Sequence, residues 1–343
     1  MFITYFRSSS YNGWEVCQMQ FFLTYILGLY SPSGKAAEKG TIVHKVMECL
    51  AQGKKAIQDG EDYFIDDSLG RYEIDEDRLW DPEFFSRLCL DSWEYYTNPE
   101  KTAITNYVNK DWKDIVHWAE QVPLQCNGAF DPRNRHILEP EPFFDFEIEE
   151  PWAEYDFELP NGERMQGRLA CKGTIDLVTL DTSGPYEVVE TIDWKTGRRV
   201  NWANMQEKTF EKLCNDAQLS MYHYALSKYL YPQYDHFAMT INYVKPGQGG
   251  PYTMSYGPEH REVTLEMLRK RFEAIKRAIR PRLRTGFFCN RVCHFGKNPH
   301  PNDGTRTICK YLHDELRSKG MTQVMLEHTA PGFQLGYYQN PGS

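Results

Sequence analysis

The sequence predicts an α/β fold, a central mixed β-sheet flanked by helices. Three observations carry this. Residues 143–180 divide into short segments with the alternating apolar pattern of half-buried strands. Residues 188–195 follow as another strand, carrying Val188, Val189 and Ile192 and ending Asp193-Trp194-Lys195. A strongly helical stretch over about 210–230 then leads to an apolar strand at 237–244. Strands, a helix and a returning strand, in that order, build a mixed sheet with helices packed on it.

Composition bounds the reading. The chain has 343 residues, enough for one large domain, and 1–343 is read as a single domain. Aromatics make up 14%, which argues against disorder. The net charge of −9 excludes a bulk attraction to nucleic acid, so any such surface must be a local patch. The apolar run at 21–30 contains Thr24, is too short to span a bilayer and lacks a signal-peptide layout. A cytoplasmic protein without a membrane segment is therefore expected. Nine cysteines, an odd number, argue against a disulfide framework and for buried thiols or metal ligands.

The N-terminal part reads as helices. Ser8-Ser9-Ser10 is a source of N-caps for a helix over 14–29, with Val16, Met19, Phe22 (or Leu23), Ile26 and Tyr30 at helical spacing and Cys17 early in it. A second helix is predicted over 40–51, with Val43, Val46, Met47 and Leu50 as its apolar stripe. His44 lies beside that stripe, where a lone histidine is ordinarily a packing or solvent residue. Residues 52–135 read as an acidic helical insertion capping one side of the core. Asp59, Glu61, Asp62, Asp66 and Asp67 read as its solvated face.

The second half reads as strands, then helices. Strands are expected at 143–148, 154–159, 165–171 and 173–180, with Pro160-Asn-Gly-Glu as a hairpin turn. A last long helix opens at Thr264 and reaches about Arg280, with Phe272, Ile275 and Ile279 as its buried stripe. Residues 261–285 hold nine Lys/Arg against three Glu. That is either a solvated helix or a phosphate-contacting face.

The chemistry concentrates in residues 173–197. Side chains two apart on a strand share a face, so Asp193 and Lys195 point one way and Trp194 the other. A hairpin through Asp181-Thr-Ser-Gly-Pro sets Asp176 beside them. Two carboxylates and a lysine converging on strand ends imply a metal site with a cation next to it. Glu190, three residues before Asp193, falls on the opposite face and is not a ligand.

Gly173-Thr-Ile-Asp176 followed by Asp193-Trp-Lys195 resembles the PD-(D/E)xK nuclease signature. Three further features resemble its RecB-like branch, which includes the RecB and AddB nuclease domains and the CRISPR-associated iron–sulfur exonucleases. They are a helix with Ser-x-x-x-x-x-x-Cys17, the run Gly40-Thr-Ile-Val-His44, and Gln218-Leu-Ser-Met-Tyr222. The resemblance reaches from about residue 10 to 310 and leaves 52–135 unmatched.

The resemblance implies a restriction-endonuclease-like core and a metal-dependent DNA exonuclease of recombination, repair or DNA degradation, acting on single-stranded DNA or an ended duplex. A structure-specific endonuclease on the same fold, or a non-catalytic nucleic-acid-binding protein, are the alternatives. Asp176 and Asp193 are the expected ligands of Mg²⁺ or Mn²⁺, which prefer carboxylate oxygens. The resemblance adds the main-chain carbonyl of Trp194 and the His44 imidazole, a ligand better suited to Mn²⁺. Lys195 would orient the attacking water and stabilise the developing charge. Gln218 and Tyr222, four apart, share a helix face that in similar proteins points at the active site and the DNA backbone. Tyr222 as plain core is the other reading. Glu141 loosely matches an acidic position upstream of the strands in such nucleases.

In the iron–sulfur members, one cysteine before the core and three after it hold a 4Fe–4S cluster. Cys17, Cys289, Cys293 and Cys309 stand in those places, the last three within a Cys-rich segment at 286–313, although their spacing is wider than the family's short pattern. A structural Zn²⁺ held by Cys289, Cys293, Cys309 and one of His294, His300 or His313 is the rival, and no metal the third reading. A Walker loop is absent from the sequence, so unwinding would need a helicase or recombination partner.

Overall fold

The computed structural model describes residues 1–104, 106–201, 204–245 and 247–335. Two sheets form its centre. Strand β1 (Tyr5–Phe6) and helices α1 (Ser8–Val16) and α2 (Lys35–Gln58) come first, followed by the hairpin β2 (Tyr63–Asp66) and β3 (Gly70–Glu73). Helices α3 (Pro82–Thr97) and α4 (Asn109–Leu124) lead to β4 (His136–Pro140), β5 (Phe143–Glu147), β6 (Glu154–Glu158) and β7 (Arg164–Arg168). Then come β8 (Ala170–Thr174), β9 (Leu177–Asp181), β10 (Val188–Lys195), α5 (Ala217–Ala225), β11 (His236–Tyr243), β12 (Tyr252–Tyr256), α6 (His260–Arg277), α7 (Ile308–Lys319) and α8 (Met321–His328).

The larger sheet has the order β12-β11-β10-β9-β4, and the smaller β1-β8-β5. Strands β10 and β11 run parallel, with Asp193 opposite Ile241 and Lys195 opposite Tyr243. The other neighbours in the larger sheet are antiparallel, so the sheet is mixed as expected. The crossover from β10 to β11 carries α5, which packs with α6 and α1 on one face. Val189, Met239 and Ile241 of that face share a core with Leu219, Met221, Leu268 and Phe272. On the opposite face Ile192 and Trp194 pack under α2 with Ile42, Val43, Val46 and Met47. The layers are therefore helix, sheet, helix.

Several elements depart from the sequence expectations. The first helix begins at Ser8, with Arg7 as its cap, so the serines form its first turn rather than precede it. Ser10 Oγ accepts from Arg7 N at 2.9 Å and donates to Arg7 O. That helix also stops at Cys17, which is extended, and Cys17 Sγ caps a new turn by accepting from Gln20 N at 3.5 Å. Residues 173–180 are two strands in two sheets instead of one, with the chain bending at Ile175-Asp176. The segment 52–135 contains the β2–β3 hairpin as well as helices. Within it, Asp66 is buried and ion-paired to Lys45 at 3.1 Å, not solvated. Phe64, Tyr72, Leu88, Ile115 and Trp118 of this segment join the core beneath α2. The helix expected to end near Arg280 ends at Arg277, and Ile279 is 87% exposed instead of buried. It is also not the last helix, because α7 and α8 follow it. No helix of the described residues is long and apolar enough to cross a membrane.

Candidate active site

Three neighbouring elements bring the motif residues together. Asp193 and Lys195 end β10, a strand buried on both faces because helices cover each side. Asp176 sits in the bend between β8 and β9, one step before the two strands diverge into separate sheets. Its Oδ2 accepts from Trp194 N at 3.0 Å, which ties the bend to the end of β10. Gly173 permits this bend to pack closely, since a Cβ there would stand 2.6 Å from the Phe144 ring.

His44 arrives from the opposite layer. Its Nδ1 lies 3.3 Å from Asp176 Oδ2. Gly40, one turn earlier on α2, makes that approach possible: a Cβ on it would stand 2.5 Å from Thr196 Oγ1. The spacing Gly40 to His44 thus has a mechanical reason. The glycine lets the helix lie against the end of β10, and the histidine four residues on then reaches the bend.

Asp193 is fully buried. Its Oδ1 accepts from Lys195 Nζ and from Gln218 Nε2, each at 2.9 Å. Its Oδ2 makes no well-aligned hydrogen bond among the described residues, although Lys195 Nζ is 2.6 Å away. Gln218 Nε2 also donates to Tyr222 Oη at 2.5 Å, and that hydroxyl donates to Thr174 O at 2.7 Å. Asp216 caps α5 by accepting from Gln218 N, and Lys208 holds Asp216 at 2.6 Å. The chain Thr174–Tyr222–Gln218–Asp193 is continuous, and Tyr222 is both buried and part of it.

The charges follow from burial and neighbours. Burial pushes the Asp193 carboxyl up, Lys195 pulls it down, Asp176 pushes it up again, and it settles at about 6. Burial opposes ionisation of Asp176, but His44, Lys195 and the Trp194 N–H outweigh it and hold that carboxyl below its ordinary value. Burial alone would lower Lys195, yet Asp193 and Asp176 outweigh it and hold the ammonium above its ordinary value. Burial, then Asp193 and Asp176, hold the Tyr222 phenol well above its ordinary value, so it remains a donor. Lys195 is a fixed cation here and a poor proton acceptor.

A second pair of carboxylates lies beside this group. Glu48 is one turn beyond His44, ion-paired to Lys45 at 2.5 Å. Burial and then Glu141 push the Glu48 carboxyl up to about 8, against the pull of Lys45. Glu141, in the left-handed region at φ 50°, donates its N–H to Asp176 O at 3.3 Å. Sequence reasoning matches Glu141 only loosely and passes over Glu48. The one signal for it is the four-residue step from His44. Glu190 points away from the site as expected, into an ion pair with Arg135 and a hydrogen bond from Thr240.

Cys17, Cys289, Cys293 and Cys309 are all buried and free of disulfides. Burial raises the thiols of the last three, and each also feels Cys17. The four therefore gather from opposite ends of the chain. Among the described residues, three or more His, Cys, Asp or Glu ligand atoms lie mutually within 4.8 Å only at Glu315, Glu327 and His328. Neither three of the thiols nor His44, Asp176 and Asp193 meet that spacing, so it does not distinguish zinc from a cluster at the cysteines. Two histidines of the zinc reading are engaged elsewhere: His294 Nδ1 with Asn298 at 2.9 Å, and His300 stacked on Tyr311.

Against known proteins, a family model described as the PD-(D/E)XK nuclease superfamily matches residues 8–297. No curated protein matches the chain. The match spans α1, the Asp176 bend, the end of β10, α5 and two of the three C-terminal cysteines. With most of its length matched and a mixed sheet carrying the acidic motif at its strand ends, the chain belongs to the PD-(D/E)XK nuclease superfamily.

Proposed function

We propose that this protein is a metal-dependent deoxyribonuclease of the RecB-like branch, acting as an exonuclease in recombination, repair or degradation of DNA. The observation that carries this reading is the fully buried Asp193, ion-paired to Lys195 and set in one site with Asp176 and His44. Two buried carboxylates in one site repel each other: burial and then Asp176 raise Asp193, and a cation between them would relieve what Lys195 alone does not. Two carboxylates and an imidazole are a donor set suited to Mn²⁺, and to Mg²⁺ where oxygens dominate. Asp176, Asp193, His44 and the Trp194 carbonyl are the proposed ligands. A bound cation would lower the pKa of water and neutralise charge on the phosphate.

The protein groups do the rest. Lys195 is held as an ammonium by Asp193, so it orients the water and faces the charge that develops on the phosphate oxygens. Gln218 fixes the Asp193 carboxylate, and Tyr222 fixes Gln218 by anchoring on Thr174 O. These two are positioning residues for the ligand. The intact Asp176, Asp193 and Lys195 speak against a vestigial, purely binding protein.

Digestion of 5′- and 3′-labelled linear and circular DNA with Mn²⁺ tests the reading. Mononucleotides released from linear ends, with circles spared, are expected. Cut circles would move the assignment to the endonuclease alternative. Lys195→Ala is expected to lower the rate by about 10²–10³-fold, the loss typical of one oxyanion-stabilising group. A variant within a few-fold of wild type would remove Lys195 from the mechanism.

For the cysteines we propose a 4Fe–4S cluster on Cys17, Cys289, Cys293 and Cys309. Four buried thiols that gather in one core cluster from both ends of the chain support it. Anaerobically purified protein should be brown with a broad visible band. Colourless protein with stoichiometric zinc would replace the cluster by zinc.

A further inference from the structure

Two grooves flank α1 and meet at Glu15. One, of about 250 Å³, opens at Lys195 and is bordered by Asn12, Glu15, Arg198 and Lys208. The other, of about 380 Å³, lies between α1 and α6, with Lys270 and Arg271 on its wall and Tyr11 and Trp14 along its floor. Helix α6 and the residues after it carry the nine Lys/Arg of 261–285, a basic segment on a chain of net charge −9, of which Lys270 and Arg271 line this groove.

The side chains define what this second groove can hold. Arg271 donates to Tyr11 O at 3.1 Å, lies 4.2 Å over the Tyr11 ring and approaches Glu15 at 3.5 Å. Lys270 is exposed, with an ion pair to Glu266 at 3.4 Å. Tyr11 and Trp14 are buried, so neither offers an open face to a stacked base. Recognition along this wall is by charge, which suits a sugar-phosphate backbone and reads no sequence. The first groove, of about 250 Å³ and open to solvent, presents Lys195, Arg198 and Lys208, cations suited to the phosphate of one strand, and has too little room for the two nucleotides of a base pair.

We propose that single-stranded DNA runs from the Lys195 groove over α1 at Glu15 and lays its phosphates along the Lys270–Arg271 wall of α6. This rests on the nuclease reading of the Lys195 site. A helix is about 10–12 Å across, so the wall meets phosphates roughly three nucleotides from the cleaved bond at ~3.4 Å per stacked nucleotide. Glu15 stands at the crossing point, opposing the backbone, and Arg271 partly offsets it.

The test uses the full chain, with two probes and two variants. Binding of a fluorescent 12-nucleotide oligothymidylate is measured in EDTA over a salt series, beside a blunt duplex of the same length. Hydrolysis of that oligomer and of the p-nitrophenyl ester of thymidine 5′-phosphate is measured with Mn²⁺. Lys270→Glu should weaken single-strand binding about five- to tenfold and reduce the salt slope by about 0.7 for each phosphate it no longer neutralises. Its kcat/KM on the oligomer should fall at least fivefold further than on the ester. Glu15→Gln should tighten single-strand binding, a gain that misfolding cannot produce. Both variants within twofold of wild type on the single strand would overturn the path. So would an equal loss on the duplex, which would make the wall a duplex-backbone surface. If wild type hydrolyses neither the ester nor the oligomer, the nuclease reading fails, and the binding series still decides the path.

Discussion

Asp193 shows how the site uses electrostatics against the fold. Its carboxyl sits at about 6, above the ordinary 3.8. Ionising it therefore costs the folded state about 3 kcal/mol. The cost is absent below the ordinary value, grows as pH rises and is complete above about 6. His44 adds a second proton: burial pulls its imidazole down, but Asp176 outweighs that and raises it. A cation has to displace both protons, so its affinity rises with pH. The increase in Tm caused by saturating Mn²⁺ should therefore be larger at pH 8 than at pH 5.5. Equal increases at the two pH values would remove both groups from the ligand set. At this scale the sequence was most legible where contacts are local. Asp193 to Lys195 is a strand step and Gln218 to Tyr222 a helix step, and each pair is joined in the structure. Glu48 was not legible because what marks it out is Glu141, far off in sequence, and the bend that brings Glu141 to Asp176.

At the scale of elements, α2 is placed by one glycine. In Gly40→Ala the new methyl would meet Thr196 Oγ1 at 2.5 Å and push the helix away from β10. His44 would move with it. Displacement of about 1 Å typically costs roughly 10²-fold in rate, so kcat/KM should fall by that order. Adding Thr196→Ala removes the clashing oxygen and should restore most of the activity; a double variant as poor as the single one would refute the packing explanation. Strand β10 depends on a different interaction, the ion pair of Glu190 with Arg135 at the start of β4. Arg135→Ala would leave Glu190 buried without its cation and should cost about 3–5 kcal/mol by urea unfolding. Strand β4 itself escaped the sequence reading because His136–Pro140 is short and ends in proline. Ile279 was misread because the helical period stops at Arg277, and Ala278 at ψ 112° turns the next side chain outward. Strands β10 and β11 were legible as unbroken apolar runs, whereas the single helix expected over 210–230 breaks at Asn215-Asp216, where Asp216 caps α5 afresh.

For the molecule as a whole, Cys17, where the first helix stops, shares one core cluster with Cys289, Cys293 and Cys309. On the proposed 4Fe–4S reading, serine at Cys17 or at Cys309 should each abolish the cluster's visible band and open the segment after α6 to limited proteolysis, while the Asp193–Lys195 motif stays in place. Unchanged proteolysis in both would mean the thiols hold nothing together. This long-range grouping was legible only through a family resemblance, since nothing local in the sequence predicts that residue 17 meets residue 309. The junction at Asp176 has a consequence of its own. One peptide belongs to the small sheet on one side and to the large sheet on the other, and its side chain is bonded to the end of β10. Sliding one sheet along the other would change the separation of Asp176 from Asp193. A cation clamped between those two carboxylates would act like a bolt through a seam. Its occupancy should then stiffen the whole molecule, and hydrogen exchange should slow in β5 and β8 as well as at the site.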